Sequence, residues 1–467
     1  MFVTTAIDGD SLRNDRSLSS ASTTMHSPRP SRALLPKALS RPPITAVGSR
    51  PARSSTSAAI DVVVVSSAIR SDNPEIGEAR KRHIPVIPRA EMLAELMRLR
   101  TGIAIAGAHG KTTTTSMVAL MLEHAGLDPT AVIGGRLSAF GSNARLGRGQ
   151  YMVAEADESD RSFLKLSPTI AVITNIDREH LEAYGSFERL ADAFAEFANR
   201  VPFYGAVIAC IDDPPVAALV PKISRPVITY GFAAGADVRG ASAWTDGRSS
   251  RCRVSHPLRM PPGRAAGDLE LQVPGEHNLL NGLAAVAVGL EVGVPFDRIR
   301  SALADFHGAE RRYERRGDAR GVVVIDDYGH HPTEIAAVLR AARAGAPTRI
   351  VAVFQPHRFS RTRDLVEDFG SALALADVVV LTDIYAAGES PLPGVSLDWL
   401  ADAVRRSVPD VRVVRDLSAV PAAVAALARP GDVVITLGAG SIAATGDRIL
   451  AALSPARAAS AAPGGPR

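Results

Sequence analysis

From residue 60 onward the chain repeats one theme: a short apolar run, a glycine-rich or polar turn, then a stretch with helical spacing. The runs at 61–65, 103–106, 169–174, 206–209, 322–325, 350–354, 378–381 and 433–437 are rich in Val and Ile, with little polar alternation. Such runs suit strands covered on both faces, because a strand with one wet face would alternate. Asn73-Pro74-Glu75 opens a helix reaching about His83, with proline where its missing N–H costs nothing. A strand over 84–87 and an amphipathic helix over 90–99 follow. Strands alternating with helices predict an α/β fold of parallel sheets with helices on both faces and ligands at the carboxyl ends of strands. Residues 226–275 break the rhythm with short alternating segments, an antiparallel extension. Residues 1–59 are rich in Ser, Pro and Arg and hold no sustained period. They cannot bury enough apolar area to offset an ordering cost of ~1–2 kcal/mol per residue.

At 467 residues the chain has room for about three domains. A composition 46% hydrophobic and 22% charged is that of a globular protein. No apolar stretch is long enough for a membrane span. Cys210 and Cys252 stand apart and outside any Cys/His cluster, which excludes a disulfide framework and a structural zinc site and points to a reducing compartment. The net charge of +4 is misleading, because residues 1–59 carry eight Lys and Arg against three Asp. The remainder is near neutral and offers nothing to nucleic acid. Residues 1–59 suit a transit peptide, a regulatory tail or a misread start. They lack the apolar core of a secretory signal.

The run at 103–106 leads into Gly107-Ala108-His109-Gly110-Lys111-Thr112-Thr113. A buried strand, a glycine turn and Lys-Thr opening a helix form a phosphate cradle: backbone N–H groups meet anionic oxygens, Lys111 reaches the β/γ oxygens and Thr112 ligates Mg²⁺. Only two residues separate the glycines, fewer than in the common motif. The competing reading is a plain βα turn with a solvated lysine, and four threonines crowding the helix start weigh against it. Glu155-Ala156-Asp157-Glu158-Ser159-Asp160 follows another apolar run, where Mg²⁺ on a nucleotide takes one or two carboxylates. Glu155 is the candidate, and most of the other acids read as a solvated loop. Asn175-Ile176-Asp177-Arg178-Glu179-His180 ends a further strand, leaving His180 open to a structural or a site role.

Asn278 and Asn281 share a helix face and suit either a cap or an adenine edge. Arg311-Arg312 lies in a polar loop, where a guanidinium fork suits phosphate although solvated pairs are common. Asp326-Asp327-Tyr328-Gly329-His330-His331-Pro332-Thr333-Glu334 and Gln355-Pro356-His357-Arg358-Phe359-Ser360-Arg361 follow two strands of one sheet. Together they gather His, Tyr and Arg groups suited to anions and carboxylates. The adjacent histidines diverge in extended chain, which disfavours a metal shared between them.

In this order, GAHGKTTTT, EADESD, TNIDREH, GEHNLLN, GAERR, DDYGHHPTE and FQPHRFSRT resemble the Mur ligase family over roughly residues 60–453. The tight loop is that family's own form of the phosphate cradle. The resemblance implies a three-domain α/β architecture. A Rossmann-like N-terminal domain for a UDP-sugar would be truncated to 60–100. A central P-loop ATPase domain would span 101–312, and a Rossmann-like C-terminal domain that brings the amino acid would span 313–453. Residues 1–59 would be disordered or out of frame, and 454–467 a tail. The resemblance also implies a cytoplasmic enzyme of peptidoglycan synthesis, on which cell shape and division depend. It would ligate L-alanine to the carboxylate of UDP-N-acetylmuramate through an acyl phosphate, using ATP and Mg²⁺.

Position by position, Gly107, Ala108, His109, Gly110, Lys111, Thr112 and Thr113 would hold the ATP phosphates, with Thr112, Glu155 and His180 around Mg²⁺. Asn278 and Asn281 would lie near adenine, and Arg311 and Asp326 would meet the nucleotide. Tyr328, His330, Arg358 and Arg361 would surround the alanine, and Ser66 and Ser67 the UDP group. Lys111, Glu155, His180 and Arg311 would carry the catalysis. Charge on a transferring phosphoryl group calls for Mg²⁺, Lys and Arg rather than a protein nucleophile. A site split across domains implies closure before chemistry.

The family opens with a glycine-rich turn of the GxGGxGxS kind for the UDP pyrophosphate, and residues 1–59 hold none. The expectation is a frameshifted or misread start, and a chain that binds ATP but binds UDP-N-acetylmuramate poorly. Three alternatives stay open. A ligase of the same family that recycles a whole tripeptide shares the HHP segment but differs after the next strand. Folylpolyglutamate synthase has a similar phosphate loop but lacks the paired His330-His331. A nucleotide-binding remnant without catalysis would follow from a defective N-terminus. Neither nucleic acid nor membrane is implied as a partner, and oligomeric state is left open.

Overall fold

Valine- and isoleucine-rich runs leave no wet face, so they assemble side by side under helices, and most strand pairs here are parallel. The computed structural model describes residues 45–46, 60–66, 69–256 and 265–454. The chain divides into two compact units after Leu99. The first carries β1 (Thr45–Ala46), β2 (Val63–Val65), α1 (Pro74–Lys81), β3 (Val86–Pro88) and α2 (Arg89–Met97), with a parallel sheet in the order β1-β2-β3. Helix α1 starts where Pro74 predicts, capped by the Asn73 side chain, which accepts from the Glu75 N–H at 2.8 Å. It ends at Lys81, short of His83. Ser66 sits directly past β2. Ser67 lies outside the described residues.

The second unit opens with β4 (Thr101–Ala106), α3 (Lys111–His124), β5 (Thr130–Leu137), β6 (Ser142–Arg145), β7 (Tyr151–Glu155) and β8 (Ile170–Ile173). It continues through α4 (Leu181–Tyr184), α5 (Phe187–Asn199), β9 (Ala206–Cys210), α6 (Pro214–Leu219), β10 (Val227–Gly231), β11 (Val238–Thr245), β12 (Ser250–Ser255), β13 (Ala265–Leu271), α7 (Glu276–Glu291) and α8 (Phe296–Ala304). These strands form one sheet in the order β13-β12-β11-β10-β9-β8-β4-β7-β5-β6. Strand β4, which feeds the phosphate loop, is central, paired with β7 and β8. The antiparallel extension is the meander β11-β12-β13. Helices α3 and α7 are buried almost all round, which is why neither shows a polar stripe.

A second sheet follows, from β14 (Glu314–Ala319), β15 (Val322–Asp327), α9 (Pro332–Ala344), β16 (Arg349–Phe354), α10 (Phe359–Asp364) and α11 (Val366–Leu373). Strand β17 (Val378–Leu381), α12 (Leu397–Arg405), β18 (Asp410–Val413), α13 (Val420–Leu427), β19 (Asp432–Leu437) and α14 (Thr445–Leu453) complete it. Its order is β14-β15-β19-β16-β17-β18, parallel except for the edge strand β14. Apolar clusters cover both faces. Strand β15 runs two residues past the expected end, so Asp326 and Asp327 are strand residues. Among the described residues, no helix is long and apolar enough to cross a membrane, and both cysteines are free and buried.

Candidate active site

The loop between β4 and α3 is shaped by two glycines. Gly107 has φ 138° and Gly110 φ 82°, conformations that other residues adopt only under strain. A Cβ on Gly107 would lie 2.0 Å from Thr174 Oγ1, and one on Gly110 2.5 Å from Asn281 Oδ1. The exit of β8 and the start of α7 therefore press directly on the loop. Ala108 and His109 donate their N–H groups to Asn175 O (3.2 Å) and Oδ1 (2.8 Å). The His109 carbonyl accepts from Thr174 Oγ1 (2.7 Å) and Asn175 Nδ2 (3.0 Å).

Lys111 is the first residue of α3, and its amine curls back over the loop. It donates to Gly107 O (2.6 Å), Ala108 O (3.2 Å) and Glu158 Oε1 (2.8 Å). Burial works against the charge of this amine, yet Glu158, Asp157 and Glu155 outweigh it and raise the pKa. The sequence reading leaves Glu158 in a solvated acidic loop, and the structure corrects this: its side chain is 3% exposed and holds the lysine. Asp157 and Asp160 are exposed, as expected.

Glu155 ends β7, accepts the Gly134 N–H and has the Thr112 side chain beside it. Burial pushes its carboxyl pKa up despite these contacts and the nearby Lys111 and Arg312. Thr112 and Glu155 thus stand together, whereas His180 stands in a second group with Glu158 and Glu179, their ligating atoms within 4.8 Å of one another. Lys111 joins the two groups through Glu158. The donors are mostly oxygens, both Glu155 and Glu158 are short of compensating charge, and Glu158 Oε2 is buried with no partner. Such a set fits a hard divalent cation.

Asn278 does not cap α7, because Gly275 holds that position. Its amide reaches back to Pro274 O (2.7 Å) and its oxygen accepts from Asn281 Nδ2 (3.3 Å), while Asn281 Oδ1 accepts from Thr114 Oγ1 (3.1 Å). Arg311 Nε donates to Asp326 Oδ2 (2.8 Å) and its Nη2 to Gly438 O (2.6 Å). Asp326 is fully buried and its other oxygen accepts from Thr436 Oγ1 (2.6 Å), so in this geometry it braces Arg311 and offers no free oxygen.

Four rings line the carboxyl ends of β15, β16 and β17. Tyr328, His330, His357 and Tyr385 follow one another at centroid separations of 5.3, 5.3 and 5.5 Å. Arg361 Nη1 lies 3.2 Å from His357 Nδ1, and Nη2 donates to Glu179 at 3.2 Å. Arg358 faces Glu182 at 3.7 Å. Burial drives the pKa of His330 down to about 4 and that of His357 to about 3, with Arg361 adding to both, so the imidazoles are neutral. Tyr328, His330 and Arg361 are brought together, while Arg358 sits at the rim. His331 turns away from His330 toward His109 and Asp177, as adjacent positions in extended chain require.

Sequence reasoning missed Glu158, Asp177, Glu179, Glu334, His357 and Tyr385. Glu334 had a signal, since it follows the N-cap His331 at capping-box spacing. Asp177 and Glu179 lay inside a segment read only for its histidine.

A phosphate loop on one parallel sheet, with His, Tyr and Arg groups gathered on the strand ends of a second, defines the class. Residues 105–289 match the Mur ligase middle domain, 311–440 the Mur ligase glutamate ligase domain, and 44–101 the Mur ligase family catalytic domain. The chain belongs to the Mur ligase family, and its three-domain α/β architecture is the family's. It is 52% identical over 403 residues to the UDP-N-acetylmuramate–L-alanine ligase of Geobacter sulfurreducens, covering 86% of each chain. It is 54% identical over 402 residues to that of an Anaeromyxobacter species, covering 84% of this chain and 85% of the relative. The solved UDP-N-acetylmuramate–alanine ligase of Thermotoga maritima is similar at TM-score 0.70 and 29% identity over 84% of each chain. The MurF ligase of Thermotoga maritima in complex with ADP shares the fold at TM-score 0.63 and 20% identity, covering 84% of this chain and 94% of that one.

Proposed function

We propose that the chain ligates L-alanine to the carboxylate of UDP-N-acetylmuramate at the expense of ATP, in the cytoplasmic stage of peptidoglycan synthesis. The observation that carries this reading is the Lys111 amine at the head of α3, gripped by loop carbonyls and by the buried Glu158, with Thr112 and Glu155 beside it. The names of the similar ligases supply the substrates. In this reading residues 60–100 belong to the UDP-sugar domain, 101–312 to the ATPase domain and 313–453 to the amino-acid domain.

The sugar carboxylate attacks the γ-phosphorus of ATP, the bond to ADP breaks, and an acyl phosphate forms. The alanine amine then attacks the acyl carbon, passes through a tetrahedral intermediate, loses a proton and expels phosphate. The loop amides from Gly107 to Thr113 and the helix N-terminus cradle the phosphates. Lys111 exchanges Glu158 and the loop carbonyls for phosphate oxygens. Thr112 and Glu155 on one side of Lys111 and His180 on the other would hold Mg²⁺, which would supply charge neutralisation for the transferring group. Asn278 and Asn281 lie on the adenine side, and Arg311, braced by Asp326, meets the nucleotide. Arg361 and Arg358 receive the alanine carboxylate beside Tyr328 and the neutral His330. Ser66 and Ser67 serve the UDP group.

Phosphate release measured with each substrate omitted in turn tests the proposal. Release is expected only when ATP, UDP-N-acetylmuramate and L-alanine are all present. ATP binding with no substrate-coupled release would leave a nucleotide-binding remnant instead.

A further inference from the structure

His109 stands between the two glycines of the phosphate loop, and its backbone N–H and C=O are both bound to the exit of β8. Its ring faces elsewhere, toward the N-terminus of α9 under the second sheet. Nε2 lies 2.9 Å from Asp177 Oδ2, Nδ1 lies 3.4 Å from Glu334 Oε1, and the ring sits 5.0 Å from that of His331. Asp177 in turn accepts from Thr333 Oγ1 at 2.7 Å and lies 3.4 Å from His331 Nδ1. Glu334 accepts the backbone N–H groups of His330 (3.1 Å) and His331 (3.3 Å), and its Oε1 lies 3.6 Å from Arg312.

We infer that His109 is a positioning residue that couples the phosphate loop to α9, so that docking of the α9 N-terminus sets the loop's hold on the nucleotide. The inference rests on the nucleotide reading of that loop. The His109 and Glu334 side chains are only 12% and 13% exposed. Burial alone would discharge the imidazole, but Asp177 and Glu334 outweigh it and carry its pKa up to about 10. A buried cation held by two carboxylates, one past β8 and one on α9, cannot lose either partner cheaply. Loop geometry and helix docking are therefore linked, and the linkage works in both directions.

Glu334→Gln removes the charge that faces His109, together with its facing of Arg312 and His330, while glutamine still closes the capping box. Hydrogen exchange of the Ala108 and His109 amides, followed in the full chain, is expected to rise roughly ten-fold in this variant, with exchange inside α9 unchanged. His109→Gln should raise the KM for ATP by a similar factor, and the double variant should be no worse than the poorer single one. Unchanged loop exchange in Glu334→Gln, or multiplying effects in the double variant, would overturn the coupling. Exchange needs no turnover, so failure of the coupling is distinguishable from failure of the ligase reading, which phosphate release reports.

Discussion

Lys111 keeps its charge in a mostly buried position because Glu158, 47 residues away, supplies a counter-charge where water cannot. Truncating the lysine removes the group that would meet phosphate and strands a carboxylate that burial already pushes toward its neutral form. Lys111→Ala should abolish ATP-dependent phosphate release while circular dichroism stays that of the parent chain. Its thermal midpoint should fall, because a buried carboxylate without its partner costs about 3–5 kcal/mol when it stays charged. Adding Glu158→Gln should recover much of that midpoint and none of the activity. At this scale the loop was legible, since glycine, lysine and threonine at fixed offsets have a backbone reason to be there. Glu158 was not, because six residues with four acids look alike until tertiary contacts select one.

Helices and strands place these residues, and their pairing with solvent pH follows from which groups each element buries. His330 and His357, past β15 and β16, titrate near 4 and 3 in the folded chain, against about 6.5 when unfolded. Between those values the unfolded chain binds protons that the folded chain does not, so stability must fall as pH drops from about 6.5 toward 4. His109 acts at the other end. Its folded pKa of about 10 lies above the unfolded value, so its contribution is complete below about 6.5 and is lost as pH rises toward 10. Thermal midpoints measured from pH 4 to 10 should show both flanks, with His357→Gln flattening the acid one and Glu334→Gln the alkaline one. Elements with uninterrupted apolar runs were readable from the chain, and β17 matches its expected bounds residue for residue. Strand β5 was not foreseen, because Gly134-Gly135 inside it reads as a break in any local pattern. The extra residues of β15 were also unreadable, since Asp326 and Asp327 tolerate a buried strand through Arg311, Thr436 and the Tyr313 and Gly329 N–H groups.

The two sheets of the second unit meet through charged contacts from strand ends far apart in sequence. Arg361 reaches Glu179 across 182 residues, and Thr333 reaches Asp177 across 156. Arg361→Ala should raise the KM for L-alanine about ten- to hundred-fold, the worth of a charged hydrogen bond, with the KM for ATP little changed. Steady-state kinetics with each substrate varied in turn would check it. Five of the seven short segments that place the chain in its family stand at the carboxyl ends of the parallel strands β4, β7, β8, β15 and β16, while the other two open α7 and lead into β14. No pattern along the chain states which segment touches which, and the clasp around His109 is of that kind.

Strand β19, from Asp432 to Leu437, lies between β15 and β16 although it is the last strand to be made among the described residues. Until it emerges from the ribosome, the pairs β14-β15 and β16-β17 have no strand to bridge them. A nascent chain can therefore complete the sheet around β4 early, yet it must reach residue 437 before the sheet around β19 takes shape. Premature stop codons ahead of residue 432 should thus yield polypeptides that are prey for chaperones and proteases rather than weak enzymes.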